Sequence, residues 1–355
     1  MIAPHARRSQ LGTFIALGIS LAMLVLTFGK LHLHPSLSIS WRFDPHELLG
    51  VLSGHPLAFA LVAFFEALQL PLRAWLWKFV LPRGVSNQGQ RYHAVALGAL
   101  AQNIFPARAG ELVRALSLSR SCQGLGRTRS LTTVATSKLA ELAGLLTFVA
   151  LLPLLIDLGS PALSTFRDGA WFGAALLFGL VGLAWALTHA RGRTQRIEAA
   201  LRHLPGKLGR KLATGIEELA HGAAACGSPK RVALAYLAGL GTVALAIAAF
   251  MAGLWGVGAP VSLASGTIVL GAVSLGMSIP SSPSGVGVFH LVCLYALTAL
   301  GVDGARAAAF ALAVHLVGTG VNIGLGLFSL VRGHESLGAL TRGEPAGRVE
   351  PQLLA

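Results

Sequence analysis

Long apolar runs separated by short polar stretches recur along nearly the whole chain. They cover residues 11–29, 56–81, 131–158, 170–190, 231–255, 261–280, 286–302 and 305–331. A run of about 20 apolar residues, rising 1.5 Å per residue, crosses a hydrocarbon core about 30 Å thick. The pattern therefore predicts an all-α, polytopic integral membrane protein with about six to eight transmembrane helices.

Proline interrupts one apolar region in each half of the chain. In the first, residues 94–104 and 109–118 are separated by Pro106, and each piece is too short to span alone. In the second, residues 261–279 and 286–302 flank the sequence PSSPSG at 280–285. Irregular backbone at membrane depth is tolerated only where protein buries it or where it lines a cavity.

Both interruptions carry a capping side chain before a proline. Asn103 precedes Pro106, and Ser281 or Ser282 precedes Pro283. Because proline suits the first turn of a helix, each interruption is predicted to begin a new helix with free N–H groups at membrane depth.

The distribution of positive charge predicts which loops are cytoplasmic and favours two opposed re-entrant hairpins. The chain carries a formal net charge of +14, and most of the surplus lies in short loops, as the positive-inside rule predicts. Both termini are then cytoplasmic. The first broken segment has cytoplasmic flanks, whereas the second lies between charge-poor loops, so opposed hairpins would form an inverted repeat with binding near the midplane. The alternative, that the second segment crosses twice, gives the same termini and stays open.

The predicted organisation has four parts. Residues 1–190 form a membrane half with the first broken segment (94–118), and residues 231–331 form a second half with the other broken segment (261–302). Residues 191–230 form a cytoplasmic loop whose apolar spacing fits interfacial amphipathic helices, although an ordinary solvated linker remains open. Residues 332–355 are expected to be a disordered tail. A soluble catalytic domain does not fit in this loop, and no nucleic-acid-binding signature is present.

A few charged side chains lie inside the apolar segments, where charge is expensive and usually functional. They are Glu66, Arg73, Arg108, Glu111, Arg114, Lys138 and Glu141. Glu66 and Arg73 share a helical face, and Lys138 and Glu141 are i,i+3 neighbours. Both pairs have an alternative interpretation as compensated pairs that only hold helices together.

Arg108 and Arg114 suggest a phosphate site. They follow the proline break, outnumber the nearby Glu111 and adjoin a predicted helix N-terminus. Guanidinium groups together with free backbone N–H groups suit a phosphate. For Arg114, snorkelling to the cytoplasmic surface is the alternative.

Histidines and cysteines indicate no metal or redox chemistry. His290 and His315 are isolated among apolar residues, which is more typical of packed core histidines than of a proton relay or a zinc site. Three widely spaced cysteines, at 122, 226 and 293, fit packing rather than a disulfide framework. We expect no cofactor and no metal.

Two motifs resemble the lysylphosphatidylglycerol synthase transmembrane (flippase-like) family. The first is Asn103, Phe105, Pro106, Arg108, Gly110, Glu111 and Arg114; the second runs from Pro280 to Phe289 and includes Ser282, Pro283 and Gly285. Arg73 and Trp75 fit the same pattern. The resemblance covers nearly the whole chain.

Two departures bear on the substrate. Where the family often has a Glu-Arg pair and a later acid, this chain has Ser137, Lys138 and Glu141. Where it often has Pro-Gly-Gly and a glutamate, this chain has PSG at 283–285 and His290. The family's aminoacyl-transferase domain is missing, so lysyl transfer is not expected.

The resemblance implies a non-enzymatic, stand-alone flippase of the bacterial inner membrane. Its cargo would be an anionic phospholipid or a polyprenyl-phosphate-linked glycolipid. Arg73, Asn103, Pro106, Arg108, Glu111 and Arg114 would contact the lipid, together with Lys138, Glu141, Ser282, Pro283, Gly285 and His290. Alternatives are a non-transporting scaffold that partners envelope-lipid (glycolipid or hopanoid) biosynthetic enzymes, and a membrane-embedded lipid transferase.

Overall fold

The computed structural model describes most of the membrane region. It covers residues 29–32, 38–41, 45–105, 109–122, 124–155, 228–278 and 283–333, with residues 168, 169, 171–173, 175 and 179. The predictions for the spans at 11–29 and 170–190, for the loop at 191–230 and for the tail after residue 333 lie essentially outside these residues.

The described residues form nine helices and one short hairpin of strands. The strands β1 (Gly29–His32) and β2 (Ser38–Trp41) pair antiparallel. The helices are α1 (Pro45–Gly54), α2 (Pro56–Val80), α3 (Gln88–Ile104), α4 (Ala109–Ser121), α5 (Arg127–Leu155), α6 (Pro229–Gly256), α7 (Leu263–Gly276), α8 (Val288–Ala299) and α9 (Gly304–Gly333).

Four of these helices are long and apolar enough to cross a membrane, namely α2, α5, α6 and α9. They confirm the predicted apolar runs near 56–81, 131–158, 231–255 and 305–331. With the shorter helices they form an all-α, polytopic membrane protein. The strands were not predicted from the apolar pattern, which carries no signal for so short a hairpin.

The first broken segment is an antiparallel hairpin of α3 and α4. Asn87 caps α3 by accepting from the backbone N–H of Gln90, whose side chain accepts from the backbone N–H of Asn87. At the open end, Gln90 donates to the carbonyl of Ser121. Near the tip, a Cβ on Gly110 would lie 2.5 Å from the carbonyl oxygen of Gly98. Helices of about 25 and 20 Å, at 1.5 Å per residue, are each shorter than the hydrocarbon core.

The second broken segment is also an antiparallel hairpin, formed by α7 and α8. Ser262 and Ser265 make a capping box at the start of α7. A Cβ on Gly276 would meet the side chain of Val292 at 2.5 Å, and Ile268 shares a hydrophobic cluster with Leu300. Between the helices, a 3-10 turn covers Pro283–Gly285.

The two hairpins approach from opposite ends of α9 and their tips meet near its middle. His93, near the start of α3, contacts Ser329 close to the end of α9 at 2.7 Å. His290, near the start of α8, contacts His315 at 3.2 Å. At the tips, Ser284 lies 2.8 Å from Asn103 and 3.0 Å from Thr319. The hairpins are therefore opposed, as the loop charges suggested, whereas the inverted repeat itself stays a prediction.

Two arginines, in the first turns of α3 and α6, bind carbonyl groups of α2 and of the loop that follows it. Arg91 is buried and donates to the carbonyls of Ala74 and Ser86. Arg231 donates to the carbonyl oxygens of Lys78 and Leu81 at the end of α2. The carbonyls of Lys78, Leu81 and Ser86 lie at the end of α2 and in the loop after it, where helix ends and turns leave carbonyl groups without a backbone partner.

Candidate functional site

Five charged side chains from three helices form a chain of alternating sign. The order is Arg73 on α2, Glu141 and Lys138 on α5, then Glu111 and Arg114 on α4. Each carboxylate lies between two cations, and each end of the chain is an arginine. The group therefore carries one more positive than negative charge. We call it the charge chain.

The contacts of the charge chain are uneven. Lys138 Nζ lies 3.0 Å from Glu111 Oε1 and 3.2 Å from Glu141 Oε2. Arg73 Nε lies 3.5 Å from Glu141 Oε1, and Arg114 Nη1 lies 3.8 Å from Glu111 Oε2. The side chains of Lys138 and Glu111 are 41% and 40% exposed, whereas that of Arg114 is 5% exposed. The chain thus has a reachable middle and a deeply buried arginine at one end.

Arg114 keeps one edge of its guanidinium group without an acceptor. Its face lies 4.3 Å from the ring centre of Trp77, and Nη1 is directed at Glu111. Nε and Nη2 are buried, and neither has a hydrogen-bond partner among the described residues. These two atoms form one side of the guanidinium fork, the geometry that binds carboxylate or phosphate through two bonds. Ser117 Oγ, one turn along α4, is also buried without a partner in the described part.

Close helix crossings position Arg114 and Glu141 of the charge chain. Beside Arg114, α3 and α4 touch at Gly98, where a Cβ would lie 2.9 Å from the Arg114 Cβ. Beside Glu141, α5 and α6 touch at Gly239, where a Cβ would lie 2.3 Å from the Ala140 carbonyl oxygen. Small residues allow such close approach of membrane helices. Trp77 is held in turn because its Nε1–H donates to Thr133 Oγ1 at 3.0 Å.

The partners of the charged residues differ from those that spacing suggested. Arg73 pairs with Glu141 across two helices, although Glu66 on its own helix lies within electrostatic range. Lys138 does pair with Glu141, as predicted, but it also bridges to Glu111. The snorkelling alternative for Arg114 is wrong, because its side chain lies over Trp77 inside the protein.

A second, uncharged cluster lies where the hairpin tips meet. Ser284 Oγ contacts Asn103 Oδ1 and His315 Nε2, each at 2.8 Å. His315 Nδ1 lies 3.2 Å from His290 Nε2, and the backbone N–H of Gly287 donates to His290 Nδ1 at 3.3 Å. His290 and His315 are therefore packed and hydrogen-bonded, as predicted, but they are not isolated, because the two rings contact each other. Twenty-five residues of sequence separate them, so no local spacing could reveal the pair.

The predicted helix starts are corrected at both breaks. Asn103 does not cap α4; it lies in the last turn of α3, and its Nδ2 donates to the carbonyl of Ala99. Pro283 begins only the 3-10 turn, and α8 starts later, at Val288. Gly285 and Gly287 take the positive φ values that the turn requires. Pro106, Arg108 and Ser282 lie outside the described residues.

Sequence reasoning did not select Trp77, Ser284 or Thr319. A tryptophan in an apolar helix gives no sign that an arginine from another helix lies over its ring. Ser284 has φ of 59°, the only positive φ at a described residue other than glycine. A serine in a loop gives no sequence signal for this conformation. Among the described residues, no group of three or more His, Cys, Asp or Glu could hold a metal ion.

Comparison with protein families gives one match over most of the chain. Residues 13–326 match the family model described as the lysylphosphatidylglycerol synthase TM region. Comparisons with curated proteins and with solved structures find no match. The matched region is a membrane region rather than an evident catalytic domain, and it indicates a function related to membrane lipids.

Proposed function

The chain belongs to the lysylphosphatidylglycerol synthase transmembrane family, and on that premise we propose that it binds a phosphate-bearing lipid and moves it between leaflets. The cargo is an anionic phospholipid or a polyprenyl-phosphate-linked glycolipid. The membrane is the bacterial inner membrane, and both termini are cytoplasmic, as the loop charges favour.

The observation that carries this proposal is the open edge of Arg114. A buried guanidinium group normally fills its donor positions, because an unpaired buried donor costs about 1–3 kcal/mol. Nε and Nη2 of Arg114 remain unfilled in the described part, and the charge chain around them has one surplus positive charge. A lipid phosphate supplies both the acceptor oxygens and the compensating negative charge.

Glu111 does not occupy the open edge, because it faces Nη1 of Arg114. It is bound more closely to Lys138, at 3.0 Å, than to Arg114, at 3.8 Å. When a phosphate reaches Arg114, Glu111 stays neutralised by Lys138, so no carboxylate is left unpaired. Because the open edge is enclosed in this conformation, phosphate binding requires local opening of the α3–α4 hairpin. Arg108, which directly precedes α4 in the sequence, would meet the phosphate on its way.

The test is leaflet exchange of labelled lipid in liposomes that contain the purified protein. Arg114→Lys keeps the charge but removes the fork, so exchange of phosphatidylglycerol should fall about 10–100-fold, as expected for a bidentate charged hydrogen bond. Arg108→Ala is expected to abolish exchange with normal expression. Arg306→Lys is the matched control. Arg306 is exposed near the start of α9, is not part of the charge chain, and donates to the Gly258 carbonyl.

The results separate three roles. The proposal is supported if the wild type and Arg306→Lys exchange lipid between leaflets and Arg114→Lys does not. Equal exchange by wild type and Arg114→Lys contradicts the phosphate site. A folded wild-type protein that exchanges none of the anionic lipids contradicts transport and favours a scaffold. A new lipid product would favour a transferase.

A further inference from the structure

The neutral cluster at the hairpin tips has a single direction of hydrogen bonding. The backbone N–H of Gly287 can only donate, so His290 Nδ1 accepts. His290 Nε2 then carries the hydrogen and donates to His315 Nδ1. His315 Nε2 therefore also carries a hydrogen and donates to Ser284 Oγ. Ser284 is left to donate to Asn103 Oδ1.

The far end of this sequence of bonds is fixed as well. Asn103 Nδ2 donates to the carbonyl of Ala99 at 2.8 Å, which leaves Oδ1 to face Ser284. One backbone amide and one backbone carbonyl thus set the direction from both ends. Both histidines are neutral and carry the hydrogen on Nε2. We call this arrangement, from Gly287 through His290, His315 and Ser284 to Asn103, the histidine relay.

An added proton always breaks one bond of the histidine relay. The acceptor nitrogens of both rings are already in use, so protonation of either ring replaces an acceptor by a donor. If His315 Nδ1 takes the proton, His290 must turn Nε2 into an acceptor and carry its hydrogen on Nδ1. That hydrogen then faces the N–H of Gly287. The backbone amide of Gly287 can only donate, so two donors then face each other there. The hydrogen bond between Gly287, directly before α8, and His290 is lost.

Helix α2 brings Glu66 beside the part of α9 that carries His315, with Arg73 two turns further along the same helix. A Cβ on Gly318, one turn from His315, would lie 3.6 Å from Glu66 Cδ. Glu111, Arg114, Lys138 and Glu141 lie on α4 and α5, which pack mainly on α3 and α6. Helix α7 has no charged side chain, the charged side chains of α3 and α6 lie in their first turns, and the arginines of α9 lie near its ends. Helix α8 adds only Cys293 and Tyr295 to His290 as titratable groups.

We propose that His290 and His315 form a proton-binding site, and that a proton bound there separates the tips of the two hairpins. The neutral relay joins the tips through Ser284 and Asn103. The protonated pair loses the bond at Gly287, which loosens the turn at 283–287 and withdraws Ser284 from α3. A proton is thus a second ligand of this protein, whatever cargo it carries.

The state of the rings is measured by nitrogen NMR on histidine-labelled protein in nanodiscs. The chain has 12 histidines, so His290→Gln and His315→Gln assign the two signals. At neutral pH both are expected as the neutral Nε2–H form, and on acidification they should change together. A hydrogen on Nδ1 of either ring at neutral pH would overturn the proposal. So would titration of the two rings at unrelated pH values.

Hydrogen–deuterium exchange measures whether the tips separate. After correction for the intrinsic effect of pH, acidification should reduce protection in residues 283–291 about tenfold, as expected for loss of a hydrogen bond involving a charged group. The helices α2 and α6 should keep theirs, which excludes global unfolding. Unchanged protection of 283–291 while the histidines titrate would contradict the proposal.

The double variant His290→Gln/His315→Gln is the matched control. Glutamine supplies one acceptor and one donor but does not titrate, so protection at 283–291 should no longer respond to pH. If the response persists, the histidines are not its source. If the double variant does not fold, Ser284→Gly serves instead: it keeps the positive φ, removes the side chain with its hydroxyl, and should shift the His315 signal most. A Ser284→Gly spectrum with His315 unchanged would contradict the relay.

Discussion

The two hairpins have the same architecture but opposite chemistry. The first, α3–α4, contributes Glu111 and Arg114 to a chain of five ionised groups. The second, α7–α8, is fixed at its tip by a neutral relay that begins at the backbone of Gly287. Both pack against the long apolar helices, where charge requires partners and neutral polar groups require hydrogen bonds.

The difference assigns two proposed roles to two sites: the charge chain binds the anion, and the histidine relay responds to the proton. The charge chain has a surplus positive charge and an open guanidinium edge, so it has capacity for an anion. The relay has every ring nitrogen engaged, so it has no capacity for another donor and responds to a proton by breaking. Asn103 belongs to the first hairpin and Ser284 to the second, so their hydrogen bond joins the two tips directly.

Removal of the Glu141 charge is expected to produce the largest loss of stability. Glu141 neutralises Arg73 and Lys138, and its side chain is only 13% exposed. Glu141→Gln keeps the size but leaves buried positive charge, which should lower the free energy of unfolding by about 3–5 kcal/mol. Reversible unfolding in mixed micelles measures it. Glu111→Gln is the comparison, because Glu111 is 40% exposed and should cost less; equal losses would contradict the buried role of Glu141.

A methyl group at the α5–α6 crossing is expected to have the next largest effect. In Gly239→Ala the new Cβ would lie 2.3 Å from the Ala140 carbonyl oxygen, so α5 and α6 must move apart beside Glu141. Overpacking of this kind costs about 1–3 kcal/mol. Gly320→Ala is the control, since nothing lies within 4 Å of its Cβ, and a helical alanine should add about 0.5–1 kcal/mol. Both are measured by the same unfolding assay, and an equal response would refute the tight crossing.

Ser284 is expected to give the smallest and most diagnostic change. Ser284→Ala loses the hydroxyl bonds and keeps a side chain at φ of 59°, so it should cost about 1 kcal/mol. Ser284→Gly loses the same bonds but relieves the left-handed backbone, which costs other residues about 1–2 kcal/mol. The glycine variant should therefore be the more stable of the two by thermal unfolding. The reverse order would contradict the strained turn.

The sequence predicted the architecture well because membrane helices are encoded locally. Apolar length located α2, α5, α6 and α9, and the prolines located the two breaks to within a few residues. The loop charges predicted that the hairpins oppose one another. The exact helix starts failed because Asn103 uses its side chain for the tip contact and cannot cap α4.

The members of the charge chain and the Lys138–Glu141 pair were predictable, whereas the pairs between helices were not. The free-energy cost of charge inside an apolar segment was enough to select the members of the charge chain, because such charges are rare unless they have a partner or a function. They are Arg73, Glu111, Arg114, Lys138 and Glu141. Their partners depend on how three helices cross, and glycines at 98 and 239 set those crossings only through contacts distant in sequence. The meeting of His290 with His315 has the same origin, since it depends on where α8 lies against α9.

The most direct test of the account is a distance measurement between a bound lipid phosphate and Arg114. Solid-state NMR can measure phosphorus–nitrogen coupling in protein with labelled arginines, reconstituted with phosphatidylglycerol. We expect phosphorus–nitrogen coupling at hydrogen-bonding distance to the Nε and Nη2 nitrogens of Arg114. This coupling should be lost in Arg114→Lys and retained in Arg306→Lys. Coupling that is absent in the wild type, or unchanged in Arg114→Lys, would contradict the phosphate site.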